Sequence, residues 1–345
     1  MANVAQGMVS RGHAVDVVLA SGEGSLIAEL PSEIRVVDLG AGRMIKSLLP
    51  LVRYLRQTEP RVIVPQMNHS NLLALWASRL AGRGTPVVAV VHNSLSQTSR
   101  QARGIGDRAG TRLLRTFYPW AARVVAVSQG AADDLVHVAK LPPELIEVIY
   151  NPVITPSFLA RLEQRPDHPW FTDAGVPVIL GAGRLTQQKD FGTLIRAFAE
   201  LRRRRPARLL IVGEGSDRGL LEALVAELGL GEDVALPGWR SDVAGCMAHA
   251  DVFVLSSAWE GLPTVLIEAL ASGTRIVSTD CRSGPREILQ RGRLGALVPV
   301  GDPAALAEAI YQALERERQP APMDALAPFT EDAAVEHYLR VIDDV

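Results

Sequence analysis

Short apolar, β-branched runs alternate with stretches of helical period along the whole chain. In the first half the strand-like runs are Val15–Ala20, Val36–Leu39, Val62–Val64, Val87–Val91, Val124–Val127 and Glu147–Ile149. Apolar positions three and four apart predict helices over Met44–Gln57, Asn71–Leu80 and Gly130–Ala139. The second half repeats the alternation, with strands at Val178–Gly181, Leu209–Val212, Val234–Leu236, Val252–Leu255, Arg275–Ser278 and Ala296–Val298. Helical patterns fill Phe191–Arg204, Asp217–Leu228, Thr264–Ala271, Pro303–Arg316 and Glu331–Ile342. Apolar strands alternating with helices predict the α/β class, with parallel sheets covered on both faces.

At 345 residues the chain is too long for one growing core, so two domains are expected. Residues 1–152 form the first and 177–318 the second. The stretch 153–176 is rich in proline and without clear period, and reads as the connection. A doubly wound domain normally begins with a buried strand. Here Ala2–Ser10 reads as a helix, so a leading strand and its loop are expected to lie before Met1, and a chain lacking them is expected to be weakly active or inactive.

Composition removes several classes. Apolar residues make up 48% and charged residues 21%, and no apolar run is long enough to span a bilayer. The net charge of −2 argues against a general nucleic-acid binder. Arg11, His13 and Asp16 interrupt the apolar run that a signal peptide needs. Two isolated cysteines, Cys246 and Cys281, fit a reducing cytoplasm.

The richest stretch for chemistry is SSAWEGLPTVLIEALASG, Ser256–Gly273. It sets Glu260 in the loop after a strand and Glu268 one turn into the next helix. Gly261, Leu262, Pro263, Thr264 and Val265 lie between, at a helix start whose free N–H groups attract phosphate. A carboxylate one turn in can accept two hydrogen bonds from a diol. In GAGRLTQQKDF, Arg184 and Lys189 follow a buried strand, either as a clamp for a diphosphate or as two solvated loop charges. Gly213 and Glu214 open the loop of IVGEGSD, where the glycines admit a ligand or simply make a turn. His92 ends a buried strand in the first half.

Together these segments resemble the retaining glycosyltransferases of the GT-B architecture, two Rossmann-like domains facing across a cleft. The matching stretches are VSRGHAVDVVLA, VVHNS, VVAVSQG, VIYNPV, GAGRLTQQKDFGTLIRAF, LLIVGEGSD, ALPGW, DVFVLSSAWEGLPTVLIEALASG, SGPREIL and GALVPVGD, in family order. The resemblance is nearest to bacterial members that extend lipid-linked or surface polysaccharides. It implies that Arg184 and Lys189 neutralise the leaving diphosphate of a nucleotide-sugar donor, that Glu268 holds the ribose, and that Glu260 contacts the transferred sugar. The amides of 261–265 would face sugar and phosphates, backbone around Trp239 and Arg240 would line the base pocket, and His92 would stand near sugar and acceptor. The helix over 330–343 would return to the first domain. No metal or other cofactor is implied. A nucleotide-sugar epimerase of the same architecture and a catalytically inactive binding subunit are the rival readings. A dehydrogenase is disfavoured because no GxGxxG follows a strand.

The near-neutral total hides an asymmetry: residues 1–150 hold 16 Lys+Arg against 11 Asp+Glu, whereas 151–345 hold 20 against 27. Within 43–123 there are 13 basic residues against Glu59 and Asp107. Arg43, Lys46, Arg53 and Arg56 share a helical stretch with Leu48, Leu49, Leu51 and Leu55. Arg100, Arg103, Arg108, Arg112 and Arg115 surround Ile105, Leu113 and Leu114. These runs are expected to form an anionic-membrane or acceptor surface, placing the protein peripherally on the cytoplasmic face of the inner membrane.

Overall fold

The computed structural model describes residues 1–21, 30–42, 44–92, 112–172 and 175–345. They form two compact units, Met1–Pro152 with Phe329–Val345, and Val153–Pro328.

In the second unit six parallel strands lie side by side: β6 (Val178–Ala182), β7 (Arg208–Val212), β8 (Val234–Gly238), β9 (Val252–Leu255), β10 (Arg275–Thr279) and β11 (Ala296–Val298). Their spatial order is β11-β10-β9-β6-β7-β8. The chain therefore starts in the middle, winds outward to β8, then jumps back beside β6 to begin β9, which is doubly wound order with its switch point between β6 and β9. Ile179, Leu209, Ile211, Val252, Val254 and Val277 cover one face and pack on α6 (Phe191–Arg202), α7 (Arg218–Glu227) and α10 (Pro303–Glu315). The alternate positions Leu180, Leu210 and Phe253 are equally buried on the other face. There α8 (Val243–His249) lies against β6 and α9 (Thr264–Ala271) against β10. Each fully buried Leu, Ile or Phe stabilises the sheet by about 1.5–3 kcal/mol.

The stretch expected to be an aperiodic connection is folded onto this unit. Thr155 caps α5 (Pro156–Leu162) by accepting from Phe158 N at 3.1 Å, and Pro156 occupies the first turn, where its missing N–H costs no hydrogen bond. α5 packs on α8, so closely that a Cβ on Gly245 would stand 2.3 Å from Gln164 O.

In the first unit β3 (Val88–Val91), β4 (Arg123–Ala126) and β5 (Ile146–Val148) form a parallel three-stranded sheet. The strand expected at Val62–Val64 is reduced to isolated bridges, Ile63 to Val87 and Gln66 to Val90. Pro65 interrupts it, since proline offers no N–H to a ladder. A separate parallel pair, β1 (Asp16–Leu19) and β2 (Arg35–Asp38), begins after α1 (Ala2–Val9). Helices α2 (Leu48–Thr58) and α3 (Asn68–Ala81) close a second small core around Leu51, Val52, Leu55, Ala77 and Ala81. Ser128 caps α4 (Gln129–His137) through Ala131 N at 3.1 Å. The C-terminal helix Glu331–Asp343, capped by Thr330, packs on α1, where Gly7 approaches Val335 too closely to carry a side chain.

The α2 surface differs from the sequence expectation. Leu51 and Leu55 face the core, and of its leucines only Leu49, 73% exposed, stands outward with Lys46 and Arg53. Arg56 is not a free cation either: it donates to Leu80 O at 2.8 Å and Ala81 O at 3.2 Å, capping the carbonyl end of α3. Arg43, Arg100, Arg103 and Arg108 lie outside the described residues.

Candidate active site

The switch point of the second unit gathers the expected chemistry. The loop after β6 carries Arg184 and Lys189, and the loop after β9 carries Glu260. Because β6 and β9 are neighbours in space, residues some seventy positions apart in sequence meet there. Lys189 Nζ donates to Glu260 Oε1 at 2.6 Å, with both side chains almost buried, at 14% and 7% exposure. Ser257 Oγ donates to the same oxygen at 2.7 Å, and Gln188 Nε2 reaches Glu260 Oε2 at 3.4 Å and Trp259 O at 3.1 Å.

Backbone bonds lock the two loops together. Ala258 N donates to Gln188 O, and Ser256 Oγ to Lys189 O, each at 2.8 Å. From the β10 side, Thr279 Oγ1 donates to Ser257 O at 2.6 Å and Ser283 Oγ to Gly261 O at 2.9 Å. A Cβ on Gly284 would stand 2.3 Å from Pro263 Cδ, so that loop packs directly on the proline that opens α9. Ser257 and Gln188 were not singled out from sequence. A serine three residues before a carboxylate is too common to flag, and Gln188 gains its role only from the neighbouring loop.

α9 begins at Thr264 with no side-chain cap, which leaves its first N–H groups and the positive end of its dipole beside Glu260. Asp190 caps α6 by accepting from Thr193 N at 3.3 Å and Thr193 Oγ1 at 2.7 Å. Leu262 and Pro263 are buried, whereas Gly261, Thr264 and Val265 are partly open.

The two expected cations differ in state. Arg184 is exposed and, among the described residues, has neither hydrogen bond nor ion pair. Lys189 is neutralised by Glu260, and its stem lies along Gly183. The carboxylate of Glu268, one turn into α9, likewise has no hydrogen-bond partner among the described residues. Burial pushes its carboxyl above the ordinary range, an effect the Arg161 guanidinium partly offsets.

Gly213 and Gly215 are explained by protein backbone on their Cβ side. A Cβ on Gly213, at φ +144°, would stand 1.9 Å from Gly183 O, and one on Gly215 would stand 2.2 Å from Leu185 O. Both glycines let the β7 loop press against the loop that carries Arg184. Gly213→Ala is therefore expected to lower the melting temperature by several degrees, about 2 kcal/mol or more, as read in a thermal melt; an unchanged melt would show that this packing is dispensable. Glu214 is held by Arg218, at 2.7 Å and 2.9 Å. Trp239 follows β8 and is 75% exposed. The Arg240 side chain is occupied by Asp242, at 2.5 Å and 2.7 Å, and by Asp167 O.

In the first unit His92 follows β3. Its Nε2 lies 2.7 Å from Gln66 Oε1, an acceptor, so Nε2 carries the proton and Nδ1 is left to accept. Burial holds its pKa below the usual histidine value.

A doubly wound unit with a buried Lys–Glu pair, a free arginine and an uncapped helix start at its switch point has the form of a site for an anionic, hydroxyl-rich ligand. Comparison with known proteins identifies the family. The model described as "Glycosyl transferases group 1" matches residues 176–316, and "Glycosyltransferase Family 4" matches residues 1–155. The chain belongs to the GT-B glycosyltransferases. It is 30% identical over 254 residues to the Campylobacter jejuni N-acetylgalactosamine-N,N'-diacetylbacillosaminyl-diphospho-undecaprenol 4-alpha-N-acetylgalactosaminyltransferase, covering 73% of this chain and 66% of that protein. It is 28% identical to the lipopolysaccharide 1,6-galactosyltransferase of Salmonella typhimurium, over 77% of this chain and 68% of that one. The match to the lipopolysaccharide core biosynthesis glycosyltransferase LpsE of Rhizobium meliloti, at 38% identity, covers only 40% of that relative. Among solved structures, Anabaena HepE in complex with UDP and glucose shares the fold, with a TM-score of 0.78 at 23% identity over 100% of this chain and 95% of that one.

Proposed function

We propose that the protein is a retaining glycosyltransferase that moves a hexosyl or N-acetylhexosaminyl unit from a nucleoside-diphosphate sugar to a hydroxyl of a lipid-linked or polysaccharide acceptor. The observation that carries this reading is the buried Lys189–Glu260 pair beside the uncapped start of α9. A diphosphate entering there finds Arg184 free, the α9 amides unpaired by any cap, and a lysine that can turn from Glu260 to phosphate. Glu260, thus released, accepts from the hydroxyls of the transferred sugar. Glu268 accepts from the ribose, and backbone near Trp239 and Arg240 receives the base.

The bond from the anomeric carbon to the diphosphate oxygen breaks while the acceptor oxygen bonds to the same face. The acceptor's proton passes to the departing phosphate oxygen, and the configuration is kept. The protein stabilises the leaving charge with preorganised dipoles and cations, a term that is often the largest in catalysis. His92 serves hydroxyls on the acceptor side. Because Arg184, Lys189 and α9 supply the positive charge, turnover in EDTA is expected to match turnover with added Mg2+; a strict metal requirement would refute that part.

A screen of UDP-, GDP- and ADP-sugars, scored by binding and by nucleotide release with lipid-linked acceptors, tests the whole reading. Release that depends on acceptor supports transfer, and conversion of the donor without acceptor supports an epimerase. Relatives named for lipopolysaccharide and undecaprenol-linked glycans favour an acceptor anchored in lipid. Among the described residues no helix is long and apolar enough to cross a membrane. Attachment is therefore proposed to be peripheral, through basic surface of the first unit on the cytoplasmic face.

A further inference from the structure

The structure gathers aromatic rings and arginines on one face of the first unit, built from α3 and residues 112–120. On α3, Trp76 and Leu80 stand four residues apart on the same side, 40% and 45% exposed. Residues 112–117 are helical and lead into the turn Tyr118–Trp120. They bring Phe117 and Trp120 against Trp76, with the three ring centroids 4.9–5.1 Å apart. Leu113, one turn before Phe117, is 44% exposed. The Arg79 guanidinium lies 4.5 Å from the Trp120 ring centroid, and Arg112 and Arg115 are exposed on the same turns as Leu113.

The charge around these rings is one-sided. Helix α3 and residues 112–120, which carry the rings, hold Arg79, Arg112 and Arg115 and no acidic residue. Indole rings have an apolar body and a polar edge, and arginine extends an apolar stem beneath a charged head. Such side chains mixed on one face match the boundary between acyl chains and anionic headgroups.

We propose that this face, centred on Trp76, docks onto an anionic bilayer, with Leu80, Leu113 and the rings at the acyl boundary and the arginines on headgroup phosphates. The proposal rests on the peripheral attachment put forward above and assigns it to α3 and residues 112–120 rather than to α2.

Flotation of the full chain with phosphatidylcholine vesicles, with and without phosphatidylglycerol, tests it, alongside quenching of tryptophan fluorescence by brominated acyl chains. Wild type is expected to bind the anionic vesicles about tenfold or more above the neutral ones, with quenching. Leu80→Glu/Leu113→Glu, at half-exposed positions, should weaken binding about tenfold or more with an unchanged thermal melt, whereas Lys46→Glu/Arg53→Glu should stay within about threefold of wild type. Equal loss in both pairs, or loss in the α2 pair alone, overturns the assignment to this face and leaves attachment standing. Wild type that ignores anionic vesicles overturns both. A self-association that Leu80→Glu/Leu113→Glu abolishes, without vesicle binding, gives the face to a second copy of the chain and overturns the proposal.

Discussion

Lys189→Met should slow sugar transfer by about a hundred- to a thousandfold and cost about 3–5 kcal/mol of stability. The two effects have different origins. Stability falls because Glu260, 7% exposed, keeps its charge while losing the ammonium 2.6 Å away, with only Ser257 and the longer Gln188 contact left to satisfy it. Transfer falls because the cation that would meet the leaving diphosphate is gone. The double variant Lys189→Met/Glu260→Gln separates them. Removing both charges should restore most of the stability, since a neutral pair in a buried place avoids the desolvation that ions suffer. It should not restore turnover. Urea melts on the two single variants and the double variant, together with nucleotide-release rates, complete the cycle. A Lys189→Met protein that melts with wild type and turns over near normally would sink both the pairing and the diphosphate role.

That pair also shows where sequence reading reached its limit. The strands at 252–255 and 296–298 and the helix at 264–271 were legible to the residue, because buried parallel strands are short apolar runs and Pro263 marks a helix start. Lys189 and Glu260 were legible as separate candidates. Their contact was not, because it depends on β6 and β9 being neighbours, a property of strand order that no local pattern carries. The same gap hid Ser257 and Gln188. Gly213 was visible as a glycine in a loop, but its reason lies in the carbonyl of Gly183, thirty residues away. In the first unit Pro65 turned an expected strand into two bridges. Prolines misled in the opposite direction at 153–176, where Pro156 opens a helix rather than breaking one. On α2 the spacing of leucines and arginines showed an amphipathic helix but not which leucines face the core. The answer, Leu51 and Leu55 in and Leu49 out, comes from packing against α3.

Glu268→Gln should make the protein more stable at neutral pH and, at the same time, a poorer binder of its donor. Burial without a hydrogen-bond partner raises the folded-state pKa of Glu268 above 4.5, its ordinary value, so the folded protein holds that proton more tightly than the unfolded chain. The sign follows from linkage: stability from this group is fully present below the unfolded pKa and is lost as pH rises through the folded one. At pH 7 the raised pKa is thus a standing cost to the fold, which glutamine removes. Thermal melts from acid to neutral pH should show wild type losing stability across that window relative to Glu268→Gln, with the variant melting higher at pH 7. A carboxylate that accepts no hydrogen bond among the described residues is, however, a group suited to two ribose hydroxyls. A hydrogen bond to a charged group contributes about 1.5–3 kcal/mol, so donor affinity should fall about ten- to a hundredfold in the variant. Wild-type affinity should also weaken as pH drops through the raised pKa, while that of Glu268→Gln stays flat there. Calorimetric titration of the nucleotide sugar reads both effects. A variant that gains stability yet binds its donor like wild type would leave the carboxylate without the ribose role, because its cost to the fold would then answer to nothing in this site.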